Sequence, residues 1–136
     1  MAKAGAKSRT PAQAGWEPAT FCNVDLDIRS RRSLAILADA LGAELLPNTR
    51  WLVVSARTQS ISAEGTVRAL VAQLKGLPSS ARQAWDAASS RTFDIGIQAG
   101  MGGRAFETVR LTSKTLADIA SLGTRLRITV YPPVRR

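Results

Sequence analysis

From Cys22 to Arg29 apolar and polar side chains alternate one for one, with Cys22, Val24, Leu26 and Ile28 against Asn23, Asp25, Asp27 and Arg29. Period two over eight residues predicts a strand with one buried face, and places Cys22 among the buried residues. The period then lengthens. Leu34, Leu37, Ala38 and Leu41 fall at helical spacing, with Ser30 as a candidate cap and Gly42 as the stop. The run from Arg50 to Arg57, RWLVVSAR, is rich in β-formers and predicts a second strand.

A second helix is predicted from a Ser62 cap, through Val67, Leu70, Val71 and Leu74, to Gly76 and Pro78. Ser79 or Ser80 starts a short third helix carrying Trp85. A third strand has Phe93, Ile95, Ile97 and Ala99 on one side and Asp94, Gly96 and Gln98 on the other. Gly100-Met101-Gly102-Gly103 breaks it, and Phe106 to Leu111 reads equally as loop or as a short extra strand. Thr112 then caps a helix with Leu116, Ile119, Ala120 and Leu122, closed by Gly123. Leu126, Ile128 and Val130 form the expected inner face of a last strand, which Pro132-Pro133 terminates.

Strands with one clean polar face do not suit a parallel sheet covered on both sides. The expected fold is therefore α+β: two layers, a mixed or antiparallel sheet with helices on one face, in a ferredoxin-like arrangement with an extra helical pair. Residues 20–133 are read as one domain. Residues 1–19, rich in Ala, Gly, Lys and Pro without an apolar period, are read as a flexible basic tail in which Trp16 is a candidate anchor.

Charge changes the picture of partners. The chain carries 19 basic and 10 acidic residues, for a net charge of +9. Nearly half of the excess falls on the two ends, around Lys3, Lys7 and Arg9 and at Arg135 and Arg136. A basic excess attracts nucleic acid through long-range fields, so nucleic-acid binding by the tail and exposed arginines is one reading. Composition also excludes chemistry. With no histidine and one cysteine there is no His-dependent triad, no imidazole ligand, no internal disulfide and no cysteine cluster for zinc. No apolar run approaches the roughly 20 residues of a membrane span, and the N-terminus lacks the apolar stretch of a secretory signal. The expected location is cytoplasmic, with no membrane partner.

Four groups of residues are candidates for chemistry. If the first and last strands are neighbours, Asp25 and Asp27 lie opposite Arg125 and Arg127 on the face turned from the helices. Trp51, Arg57, Thr129 and Tyr131 extend that surface into a candidate protein-contact face. The same carboxylates invite an acid–base or cation-binding reading, but an open sheet face neither excludes water nor wraps an ion, even with Asn23 in the row. Gly100-x-Gly102-x-x-Ala105 matches a dinucleotide-binding pattern, yet no second mononucleotide-binding half follows. The loop Gly100, Gly102, Gly103 and Arg104 stays a secondary candidate for a small ligand. Cys22, lacking a histidine partner, is expected to be buried and inert. RNA-recognition sheets display stacking aromatics, whereas the central candidates here are Asp25, Asp27 and Asp94, which repel phosphate.

The segment LTSKTLADIASLGTRLRITVY, Leu111 to Tyr131, resembles the closing segment of small bacterial domains catalogued as a domain of unknown function. These end in a capped helix, a Leu-Gly turn and a strand finishing in Tyr-Pro. The Asp25 strand and the Arg50-Trp51 strand sit where that family places its own, so the resemblance spans about residues 20–133. The family carries no assigned activity or catalytic residues. Some such domains look like immunity proteins, which bind and neutralise a toxin. The basic surplus departs from the acidic surface expected of an inhibitor of a nucleic-acid-cutting toxin. The expected function is thus a non-catalytic, macromolecule-binding domain. Its most direct partners are a protein or a second copy, and no metal or cofactor is expected.

Overall fold

The computed structural model describes residues 19–56, 62–100 and 108–133. Arg57, Trp16, Gly102, Gly103 and Arg104, together with the terminal basic residues, lie outside them. The described elements run β1 (Thr20–Arg29), α1 (Ala35–Leu41), β2 (Trp51–Ser55), α2 (Ala63–Lys75), α3 (Ser79–Ala87), β3 (Ser90–Gln98), α4 (Ser113–Ser121) and β4 (Arg125–Tyr131). They form an α+β fold of two layers, a four-stranded mixed sheet with its helices on one side.

The strand order is β2-β1-β3-β4. β1 pairs antiparallel with both β2 and β3, and β4 pairs parallel with β3. The expected β1–β4 contact is therefore corrected, because β3 lies between them. The reason is connectivity: β3, α4 and β4 make a βαβ unit, whose crossover helix returns the chain beside the strand it left.

One core fills the space between sheet and helices. Val24, Leu26 and Ile28 of β1 and Phe93 and Ile95 of β3 meet Leu37 and Leu41 of α1, Val67, Leu70 and Leu74 of α2, and Trp85 of α3. Each fully buried side chain of this size contributes roughly 1.5–3 kcal/mol.

The helix ends follow local chemistry in most places. Ser62 Oγ accepts from Gly65 N and Thr112 Oγ1 from Thr115 N, so both predicted caps act. Gly42 takes the left-handed conformation (φ 64°) that closes α1. Ser30 does not cap α1. Its hydroxyl accepts from Arg32 N in the preceding loop, and the helix begins after Leu34 without a side-chain cap. The described part of the ambiguous stretch, residues 108–111, is not strand.

Two exposures differ from the alternation. The register of β1 against β3 shifts between Phe21 and Asn23, a β-bulge at Cys22. The extra residue reverses the side-chain phase, so Phe21 packs on the core and Cys22 is exposed rather than buried. In β4, Leu126, Ile128 and Val130 do point to the helix side, paired with Phe93, Ile95 and Ile97. They are nevertheless 40%, 58% and 62% exposed. The neighbouring α4 buries only Thr115 and Ile119, and no described helix roofs this edge.

Candidate functional site

The sheet face turned from the helices carries the predicted site, and the strand order decides what it does. Along one line Asp25 of β1 faces Ser55 of β2 on one side and Asp94 of β3 on the other, and Asp94 faces Arg127 of β4. Along the next, Asp27 faces Val53 and Thr92, and Thr92 faces Arg125.

Three carboxylates thus sit at the centre of the face, and every one of their six oxygens is matched by a donor. Asp25 accepts from Ser55 Oγ at 2.8 Å and from Asn23 Nδ2 at 3.3 Å. Asp27 accepts from Trp51 Nε1 at 2.7 Å and from Arg127 Nη2 at 3.1 Å. Asp94 accepts from Thr129 Oγ1 at 2.7 Å and from Arg127 Nη2 at 2.9 Å. Arg127 therefore reaches Asp27 across the intervening strand, the long side chain spanning a gap its backbone does not. Charge-assisted bonds of this kind are stronger than neutral ones. The two aspartates raise the pKa of Arg127 above its ordinary value, the bond to Asp94 being the larger cause.

Aromatics frame this layer. The Arg29 guanidinium stacks over the Trp51 ring, 4.8 Å from its centroid, while its Nε lies 3.7 Å from Asp27. Trp51, Arg29 and Arg127 thereby cover Asp27, which is 7% exposed although it points away from the core. At the opposite corner Tyr131 lies against Gly96. A Cβ there would stand 3.1 Å from Tyr131 Cε2 and 2.7 Å from Asn23 Oδ1, so glycine is what lets the ring rest on the sheet. Trp51, Val53 and Tyr131 remain 51%, 43% and 43% exposed.

Of the predicted site residues, Asp25, Asp27, Trp51 and Arg127 converge in one hydrogen-bonded layer, with Tyr131 and Arg125 on its rim. Arg125 is exposed and has no ion pair among the described residues. Gly100 is half-buried just beyond β3, and the rest of its loop lies outside the described residues. Asp94 is the member that sequence reasoning left out of the site. Its polar alternation was visible, but only the strand order shows that it sits between β1 and β4.

Two of the concavities that the described residues line lie away from this face. One, of about 510 Å³, is an open hollow between α1 and residues 43–50, lined by Asp39, Leu46 and Asn48 among others. The other, of about 350 Å³, lies between Phe21, the start of α2 and residues 108–110. Beside it Glu64 ties two helix starts together, accepting from Thr112 N at 3.0 Å, Thr112 Oγ1 at 2.9 Å and Thr115 Oγ1 at 3.0 Å. The Thr112 backbone bond is the main cause that lowers the Glu64 pKa. Among the described residues no His, Cys, Asp and Glu group is arranged to hold a metal ion, and no helix is long and apolar enough to cross a membrane. Comparison of the chain with protein-family models, curated proteins and solved structures gives no match.

Proposed function

We propose that this chain is a non-catalytic protein-binding domain of the cytoplasm, and that it meets its partner with the open sheet face around Trp51, Arg125 and Tyr131. The observation that carries the reading is the closed hydrogen-bond layer beneath those side chains. Carboxylates whose oxygens are all engaged by Ser, Asn, Trp, Thr and Arg donors are held as scaffold, not as free bases. What they hold is a platform with exposed aromatics and an exposed arginine that has no ion pair among the described residues, residue types that dominate the energetics of protein contacts.

A protein fits this face better than a nucleic acid does. Three aspartates occupy its centre, and Arg29 and Arg127 are already engaged with them. The resemblance to immunity-like domains adds a specific form of the reading, capture of a toxin protein.

The test is capture from host lysate on the immobilised full chain, at low and moderate salt, with and without nuclease. It is followed by affinity measurement with the Trp51→Ala/Arg125→Ala double variant. A defined protein retained under all conditions, with affinity falling at least about tenfold in the folded double variant, supports the reading. Unchanged affinity removes the face from the site. Nucleic acid retained only at low salt replaces the protein partner with a phosphate backbone.

A further inference from the structure

The sheet has two edges, and they are treated differently. At the β2 edge the helix-side residues Leu52 and Val54 are each 1% exposed, sealed under the helical layer. At the β4 edge Leu126, Ile128 and Val130 stand bare on the same side. β4 is seven residues long and has no internal proline, no bulge and no inward-pointing charge. Those are the devices by which monomeric proteins blunt an edge.

Among the described residues nothing pairs with the backbone groups on its outer side. Ala99 N donates to Tyr131 O, which sets the phase of the parallel ladder. Arg125, Arg127, Thr129 and Tyr131 then direct their N–H and C=O groups at β3, and Leu126, Ile128 and Val130 direct theirs outward.

We propose that β4 pairs antiparallel with β4 of a second copy, about a two-fold axis at Ile128. The strand is self-complementary about that residue and about no other. On the helix side Ile128 meets Ile128 of the second copy, and Leu126 meets Val130, so every facing pair is apolar. On the open side Arg125 meets Tyr131 and Arg127 meets Thr129, so no arginine faces an arginine. A shift by one residue turns apolar side chains against the Arg side; a shift by two sets Arg127 against Arg127 of the second copy in one direction and brings Pro132 into the ladder opposite Leu126 in the other. Ile128 carries outward backbone groups, so a two-fold at this position makes a hydrogen-bonded pair, as antiparallel geometry requires. The result is an isologous, closed dimer with one eight-stranded sheet. Its two outer edges are the β2 strands, whose helix-side residues Leu52 and Val54 are buried, and its open face is twice as wide. The pairing draws on the strand's edge and does not depend on what else the open face binds.

The test uses the full chain and measures mass by light scattering and sedimentation from low to high micromolar concentration. Expected is a concentration-dependent dimer that Ile128→Asp weakens by about 100-fold or more, with an unchanged circular dichroism spectrum, since residue 128 is exposed. Register is tested in a Cys22→Ser background. Ile128→Cys places the two sulfur-bearing residues about 5.5 Å apart at Cα and cross-links on oxidation. Leu126→Cys separates them by about 13 Å and does not. A monomer at all concentrations overturns the proposal, as does a dimer indifferent to Ile128→Asp or one that cross-links equally at both positions.

Discussion

Asp27 joins more of this molecule than any other side chain on the open face. It accepts from the Trp51 indole and from Arg127, with Arg29 close by, and so links β1 to β2 directly and to β4 over the top of β3. Its burial on a solvent-facing surface follows from these partners, because a carboxylate leaves water only where donors replace it. Asp27→Ala strands the indole N–H and leaves Arg127 to Asp94 alone. Trp51 and Arg127 are both about half-exposed, so water recovers part of the loss. The expected destabilisation is about 1–2 kcal/mol. Asp27→Asn keeps an oxygen for the indole and gives up the charge, so its cost should be roughly half of that. Urea unfolding of the two variants checks the order; equal stability of Asp27→Ala and the parent would mean the layer is not held by this residue.

Between elements the most specific joint is Glu64, in the first turn of α2, seated on the N-terminal turn of α4. A carboxylate at a helix start is favoured by the exposed N–H groups and the helix dipole, and here one carboxylate serves two helices. The bond from Thr112 N lowers its folded pKa below the ordinary 4.5. A depressed folded pKa means that the stabilisation is fully present above the unfolded value and is lost as pH falls through the folded one. Glu64→Gln should therefore lower the melting temperature at neutral pH, and the gap should narrow and close as pH falls below the ordinary 4.5. Parallel melting curves for the two proteins across that range would remove the joint. These elements were readable to different depths. The caps Ser62 and Thr112 and the stop Gly42 were legible because a cap is a local event, made within three or four residues. Ser30 misled because its hydroxyl satisfies a loop amide just as well as a helical one. Cys22 misled because a bulge without glycine leaves no mark in the alternation.

At the scale of the whole molecule, the strand order is what periodicity does not contain. Alternation predicted which side of each strand is polar, and so brought Asp25, Asp27, Trp51 and Arg127 onto one face. It did not place Asp94 between them, nor show that the apolar side of β4 has no roof, since Leu126, Ile128 and Val130 alternate as a buried strand does. The order β2-β1-β3-β4 also dictates how stability is distributed. β1 is paired on both sides from Asp25 to Arg29, and β3 is paired on both sides along nearly all its length. Their inward residues Leu26, Ile28, Phe93 and Ile95 are fully buried. Amide hydrogens at these four positions should exchange only through global unfolding. β4 hangs on one ladder, so in dilute solution its amides should divide by parity. Arg127, Thr129 and Tyr131, directed at β3, should be protected, whereas Leu126, Ile128 and Val130, directed outward, should exchange close to the free-peptide rate. Raising the concentration should slow the second set toward the first if a second copy occupies the edge. Residue-resolved hydrogen exchange at two concentrations reads both features at once. Protection of β4 equal to that of β1, without parity and without dependence on concentration, would show that the edge is already covered within a single chain.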